Sequence, residues 1–453
     1  MSPSKDSLSR FMSGRMSRRE AIRLGLVAAA GGLLLPRFAW AETPPPLPTP
    51  KAKAVIQVWL WGGPAHLDTF DPKPEAGVDY CGPFTKPIET NVPGIRICEL
   101  LPLLAQQADK YSLIRSLTHG SNAHETAAYV VQTGHPEGGR DVFPGIGAVV
   151  SLFKGYGAGY SGLLPPYIVM SEPQGRFSES GFLGPRYKPF ATGGDPAAER
   201  FLVEGIVSPK LTEERLKERR TLLGEVDTFG TALRARAPGA LATFDRAGTD
   251  AYEMILGDAG KVFDLRQEKD EMRQLYGRNT LGQSCLVARR LVERGVPYVT
   301  INAKGWDTHK QHFQTMKRKL PELDQGVSAL LEDLSQRGLL DSTVVWVCGE
   351  FSRTPKVQNE APWNGGRNHY GKVQSVLIAG GGFRGGQVVG ATDARGENAV
   401  ERPLHPADLL ETIYGQLGIA GDAKLPHPEG LDVRVLPSMA ELPKRTGLLR
   451  ELI

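Results

Sequence analysis

Four cysteines in 453 residues are too few for a disulfide scaffold, so the fold must rest on an apolar core. Cys81 and Cys98 are the two that an oxidising compartment would allow to pair, whereas Cys348 lies in an apolar strand-like run and reads as a buried thiol. An excess of charge is also missing. The chain has 54 basic against 50 acidic residues, and Arg10, Arg15, Arg18, Arg19 and Arg23 belong to a segment expected to be removed. Nothing therefore calls for nucleic acid. No internal repeat occurs. Beyond residue 41 no apolar run approaches the ~20 residues of a membrane-spanning helix, so the mature chain is expected not to span a membrane.

The first forty residues have the three parts of a secretion signal. A basic stretch ends in Ser17, Arg18 and Arg19, an apolar run covers 21–35, and Ala39, Trp40 and Ala41 form a small-residue cleavage site. The paired arginines, followed by Glu20, Ala21, Ile22 and Arg23, fit the twin-arginine pattern, read by a translocase that passes folded proteins. The twin-arginine translocase is thus the expected partner for export, and the periplasm or cell envelope the expected location. An N-terminal membrane anchor is the alternative, but Arg23 interrupts the run and its length falls short.

Residues 1–41 are read as the signal and 42–52 as a proline-rich linker. Residues 53–453 are then one α/β domain with insertions. Apolar, β-prone runs at 55–61, 111–117, 167–170, 297–301, 343–348 and 373–379 are bounded by glycine, proline and polar residues. Helical patterns occupy 199–236, 252–276, 281–294 and 312–337. Strands alternating with helices predict a mostly parallel central sheet in a three-layer α/β/α sandwich. The charged stretch 195–281 reads as a helical insertion or cap, and the glycine-rich 380–386 as a turn.

In such sheets ligands collect beyond the carboxyl ends of the strands, and the polar residues fall there. The first run leads into His66 and Asp68, the second into His119, Ser121, His124 and Thr126. The fourth leads into Asp307, His309 and His312, and the fifth into Glu350, Arg353 and then Arg367 and His369. Six of the nine histidines lie in these segments, while His135, His405 and His427, each beside a proline, read as structural. Imidazole with carboxylate suits zinc, manganese or iron, one or two ions, better than calcium or magnesium. Each piece also has a plain reading: His119 and His124 as hydrogen-bonded core-edge histidines, Glu350 as the partner of Arg353, Ser121 and Thr126 as helix-start hydrogen bonders. Arg353 and Arg367 have the fork geometry to hold a phosphate or sulfate, or form ion pairs.

At Gly349, Glu350, Phe351, Ser352, Arg353, Thr354 and Pro355, at Gly366, Arg367, Asn368 and His369, and at Asp307, Thr308 and His309, the chain resembles the bacterial family called domain of unknown function 1501. That family is placed with the alkaline phosphatase and sulfatase superfamily. It usually has Gly at the position of Ser352 and Asp at that of Asn368. The resemblance implies an alkaline-phosphatase-like fold and assigns Asp68, Asp307, His309, Glu350 and His369 to metal-binding positions, with His66 beside them. Aligning Gln132, Thr133 and Gly134 with the sulfatase pattern puts His124 at the nucleophile position. The nucleophile is then Ser121 or Thr126, or water if His124 is a ligand. The function implied is an exported metal-dependent hydrolase of a small anionic phosphate or sulfate ester. The alternative is a non-catalytic envelope protein that retains the scaffold and a structural metal; isomerase or transferase chemistry is a third.

Overall fold

The run Ala54–Leu60, AVIQVWL, is apolar except at Gln57 and buried at all seven positions, as a strand inside a sheet covered on both faces must be. The computed structural model describes residues 49–173, 179–199, 201–203, 213–236 and 258–453. In it this strand, β1, lies inside an eight-stranded sheet. The others are β2 (Tyr111–Leu117), β3 (Tyr167–Met170), β4 (Phe190–Ala191), β5 (Tyr298–Ala303), β6 (Thr343–Cys348), β7 (Gln374–Ala379) and β8 (Val388–Val389). The order is β8-β2-β7-β6-β1-β5-β3-β4. All pairings are parallel except the two made by β7.

Helices α1 (His124–Thr133), α2 (Ile146–Val150), α3 (Thr280–Glu293), α4 (His312–Gln336) and α5 (Pro406–Gln416) cover the sheet. Successive residues of β1 point to opposite faces and so feed two cores. Ile56, Val58 and Leu60 pack with Leu286 and Leu291 of α3 and Leu320 and Leu330 of α4. Val55 and Trp59 pack with Ala128 and Val131 of α1, Val149 of α2, and Leu410 and Ile413 of α5. The result is an α/β fold with helices on both sides of a mostly parallel sheet.

The strands at 111–117, 167–170 and 343–348 coincide with the apolar runs, and β1 and β5 shift by one or two residues. The edge strands β4 and β8 are two residues each, too short for any alternation to mark them. Between β4 and α3 the described residues hold the α-helices Glu213–Val226, Thr228–Arg236 and Asp270–Tyr276, two short 3-10 helices and no strand. Residues 204–212 and 237–257 of the expected insertion, the signal 1–41 and the linker up to 48 lie outside the described residues.

One expectation is corrected here. Cys81 and Cys98 are not paired, and all four cysteines are free and buried. Burial pushes the Cys98 thiol up to about 12, which keeps it protonated and unreactive. No described helix is long and apolar enough to cross a membrane.

Two histidines beside prolines lock the sheet's flank. His405 caps α5, its side chain accepting from Ala407 N–H while Asp408 accepts from His405 N–H. His135 donates through Nε2 to Val435 O at 3.1 Å and stacks on Phe143. Burial pushes both down to about 4. Between pH 6.5, the ordinary value, and about 4 the unfolded chain therefore binds more protons, and stability falls as pH falls through that window, by roughly 3 kcal/mol per histidine at most. Urea unfolding at several pH values between 7 and 4 should show this loss. His405→Asn keeps a capping oxygen without a titrating ring and should flatten the profile; an unchanged slope would remove His405 from the explanation.

Candidate metal centre

The register of the central strands sets the site. Leu60 pairs with Ala303 and Trp59 with Cys348, so β1, β5 and β6 end side by side and their following loops meet. The β1 loop turns at Gly62, where φ is +111° and a Cβ would collide with the main chain of Trp306 and Asp307. Only glycine lets that turn press against the segment carrying Asp307. Gly366 is packed in the same way against His309 O, which brings the segment carrying His369 up to the β5 loop. His369 then pairs in a short antiparallel ladder with Arg353. His124 arrives as the first residue of α1.

Four of these side chains converge. Asp307 Oδ1 lies 3.0 Å from His309 Nε2 and 3.2 Å from His369 Nε2, and Asp307 Oδ2 lies 3.4 Å from His124 Nε2. His309 Nε2 and His369 Nε2 are 3.0 Å apart. The other nitrogen of each ring is engaged by an oxygen: His124 Nδ1 by Glu350 Oε1 at 2.6 Å, His369 Nδ1 by Asn122 O at 2.8 Å, and His309 Nδ1 by Asn368 Oδ1 at 2.9 Å. Asn368 is oriented by its own donation through Nδ2 to Gln358 Oε1. A main-chain carbonyl, an amide oxygen or an ionised carboxylate cannot donate, so each Nδ1 carries a proton, and in the neutral ring each Nε2 presents a lone pair.

Three lone pairs and a carboxylate facing one point repel one another unless a cation joins them. Metal bonds of ~2.0–2.2 Å place neighbouring ligand atoms roughly 3 Å apart, the spacing found here. His124, Asp307 and His369 each offer an atom within 4.8 Å of the others. The donor set therefore fits a divalent transition metal, with Glu350, Asn122 and Asn368 as the oxygens that hold ligand histidines in position.

The charges around the point are uneven. Partial burial works to raise the Asp307 carboxyl, but the Arg353 guanidinium, bonded to Oδ1, outweighs it with help from His309 and His124 and holds it at about 2. Arg353 is buried: Nε donates to Gly63 O, Nη1 to Arg367 O and Nη2 to Gly62 O. The hydrogen bond to Glu350 raises His124, and burial lowers His369. Glu350 is raised by burial, and its Oε2 has no partner. Phe351 and Trp61 wall the site, Trp61 stacking on His124 at 5.7 Å and Phe351 on His369 at 4.6 Å.

The structure does not bring His66 and Asp68 to this point. His66 is buried, with Nε2 donating to Gly396 O at 2.8 Å and Nδ1 engaged by Ser352 Oγ. Burial lowers it to about 4. Asp68 binds Arg367 with both oxygens, at 2.7 and 3.0 Å, and accepts from His312 Nε2 at 2.7 Å. His312 Nδ1 in turn meets Thr308 Oγ1 at 2.6 Å. Arg367 thus spends its fork on a buried carboxylate, and Arg353 spends its own on main-chain carbonyls and Asp307; neither is open to an anionic substrate. His119 uses both nitrogens, one on Glu350 O and one on Ser121 N–H. Among the described residues, neither the Ser121 nor the Thr126 hydroxyl hydrogen-bonds to the cluster.

Sequence reasoning missed the supporting residues Asn122 and Asn368 and the Thr308–His312–Asp68 chain. Asn368 stood beside His369 in plain view; Asn122 and Asp68 sit opposite partners distant in sequence.

Fold and site together define an α/β protein with a cluster of histidine and aspartate side chains, a candidate metal centre, at the carboxyl edge of its sheet. The chain belongs to the family described as protein of unknown function (DUF1501), whose model matches residues 52–441. No curated protein matches it. Solved structures that overlap it include the lipoteichoic acid synthase LtaP from Listeria monocytogenes, at 9% identity, covering 86% of this chain and 76% of that one with a TM-score of 0.34. A protein in the alkaline phosphatase superfamily from Vibrio parahaemolyticus matches at 9% identity, 83% and 68% coverage and a TM-score of 0.34. An alkaline phosphatase from the Antarctic bacterium TAB5 matches at 10% identity, 75% and 95% coverage and a TM-score of 0.28. Values this low transfer neither a residue nor an activity.

Arg367→Ala leaves Asp68 charged and buried with only His312 beside it, so the chain should lose about 3–5 kcal/mol of stability. Urea unfolding measures this. A variant of wild-type stability would mean that Arg367 is free for another task.

Proposed function

We propose that this chain is an exported metal-dependent hydrolase of a phosphate or sulfate ester. The observation that carries the reading is the convergence of three imidazole lone pairs on the Asp307 carboxylate, in a site open to solvent. Asp307 is 43% exposed, His309 35%, His124 25% and His369 22%. A structural metal is closed in by its ligands, whereas a catalytic one keeps a free position.

His124, Asp307, His309 and His369 would hold the ion. When bound it supplies Lewis-acid polarisation of an ester oxygen, which suits zinc, manganese or iron. The protein's own part is electrostatic and geometric. Arg353 neutralises one Asp307 oxygen, Phe351 and Trp61 exclude water from one side, and α1 begins at His124 with no side-chain cap, so its positive end favours an anion. With neither Ser121 nor Thr126 bonded to the cluster, the reading takes water as the attacking group.

The burial of both Arg353 and Arg367 favours the second reading, a non-catalytic envelope protein with a retained metal, because no arginine is left to grip the ester. The two readings part on turnover. Purified chain should carry near-stoichiometric zinc, manganese or iron by elemental analysis and hydrolyse an aryl phosphate or aryl sulfate. Asp307→Ala or His369→Ala should lose the metal and ~100-fold or more of the rate. Tight metal binding without turnover of either ester would favour the envelope protein; a folded chain that takes up no divalent ion would sink both.

Export rests on Arg18 and Arg19, which lie outside the described residues. Replacing both by lysine should leave the folded chain in the cytoplasmic fraction with residues 1–41 attached, while the parent chain is processed and exported through the twin-arginine translocase.

A further inference from the structure

Glu350 follows β6 and its side chain is wholly buried. A buried carboxylate beside a metal centre has two possible tasks, to bind the ion or to hold a residue that does. The two oxygens of Glu350 are used unequally. Oε1 accepts from Gly62 N–H at 2.9 Å and from His124 Nδ1–H at 2.6 Å, so that oxygen is already committed to two donors. Oε2 has no partner. The atoms gathered within 4.8 Å of one another come from His124, Asp307 and His369, and Glu350 meets that group through the His124 ring. The Glu350 main-chain oxygen also accepts from His119 Nε2, which anchors the residue from behind.

We propose that Glu350 is a positioning residue and not a metal ligand: its carboxylate keeps the proton of His124 on Nδ1 and thereby turns the Nε2 lone pair toward Asp307. This rests on the reading that the cluster holds a divalent cation, and it reassigns a residue that the family resemblance places among the ligands. The charges agree with it. Arg353 compensates Asp307, but no guanidinium or ammonium meets Glu350 among the described ion pairs. Its carboxylate is buried against one imidazole and one amide. A divalent ion on the far side of the His124 ring is the countercharge that arrangement lacks, transmitted through the imidazole.

Two variants test this. Glu350→Gln keeps the shape and an accepting oxygen but removes the charge; Glu350→Leu removes the acceptor altogether. Zinc affinity, read by competition with a chromophoric chelator, should fall about 10-fold in Glu350→Gln and about 100-fold in Glu350→Leu. X-ray absorption of the zinc-loaded chain should give the same set of coordinating nitrogen and oxygen atoms in the parent and in Glu350→Gln. Nitrogen NMR of the metal-free chain should find His124 protonated at Nδ1, and a mixture of tautomers in Glu350→Leu. Loss of a coordinating oxygen in Glu350→Gln would overturn the proposal by showing that Glu350 binds the ion directly. Unchanged affinity together with an unchanged tautomer would overturn it by showing that the contact is only structural. If the chain binds no divalent ion, the metal reading of the site falls, and the His124 tautomer in the metal-free variants alone decides whether Glu350 fixes the ring. Should Glu350→Leu fail to fold, Glu350→Gln carries the test.

Discussion

The ion pair between Asp68 and Arg367 is the interaction on which the site depends. Both side chains are fully buried, and breaking such a pair leaves a charge with no solvent to receive it. The pair joins the loop after β1 to the segment just before His369. Through His312 and Thr308 it also reaches the segment between Asp307 and His309. Ligand residues from separate parts of the chain therefore share one buried clamp, which cannot relax at one end without exposing a charge at the other.

Around that clamp the residues facing the metal point divide into two groups. His124, His309, His369 and Asp307 present lone pairs, while Glu350, Asn122, Asn368 and Arg353 stand behind them and decide which atom faces forward. The arrangement resembles a ligand shell because each histidine's proton is accounted for on its far side. The separate buried histidines His66 and His119 differ. There both ring nitrogens are bonded to hydroxyl, amide or main-chain groups outside the cluster, and burial drives the group to remain neutral.

Among the described residues neither the Ser121 nor the Thr126 hydroxyl hydrogen-bonds to the cluster, which is why the proposed reading uses no covalent intermediate. His124 occupies the first position of α1, where the resemblance to sulfatases puts the nucleophile, but its Nδ1 is held by Glu350 and its Nε2 faces Asp307. The same residue cannot both carry a proton for Glu350 and attack with that atom. In the proposed reading His124 is therefore part of the shell, and water is the attacking group.

The amino-acid sequence by itself determined the strands of the sheet's interior, because runs such as Ala54–Leu60 and Thr343–Cys348 are apolar on both faces and fit only a doubly covered sheet. It also marked Asp307 and His309, which follow such a strand and so lie at the sheet's carboxyl edge, and His369, in the loop before the next strand. The sequence was silent on the two-residue edge strands and on which polar residues face each other across the edge. Only the tertiary structure decided that Asp68 and Arg367, 299 positions apart, neutralise one another in the core, and that Glu350, 226 positions from His124, stands behind that ring. Residue type tells what a side chain can bond to. Which partner it meets is set by the register of β6, β1 and β5 and the close approach at Gly62 and Gly366, and neither is written in any local stretch of the chain.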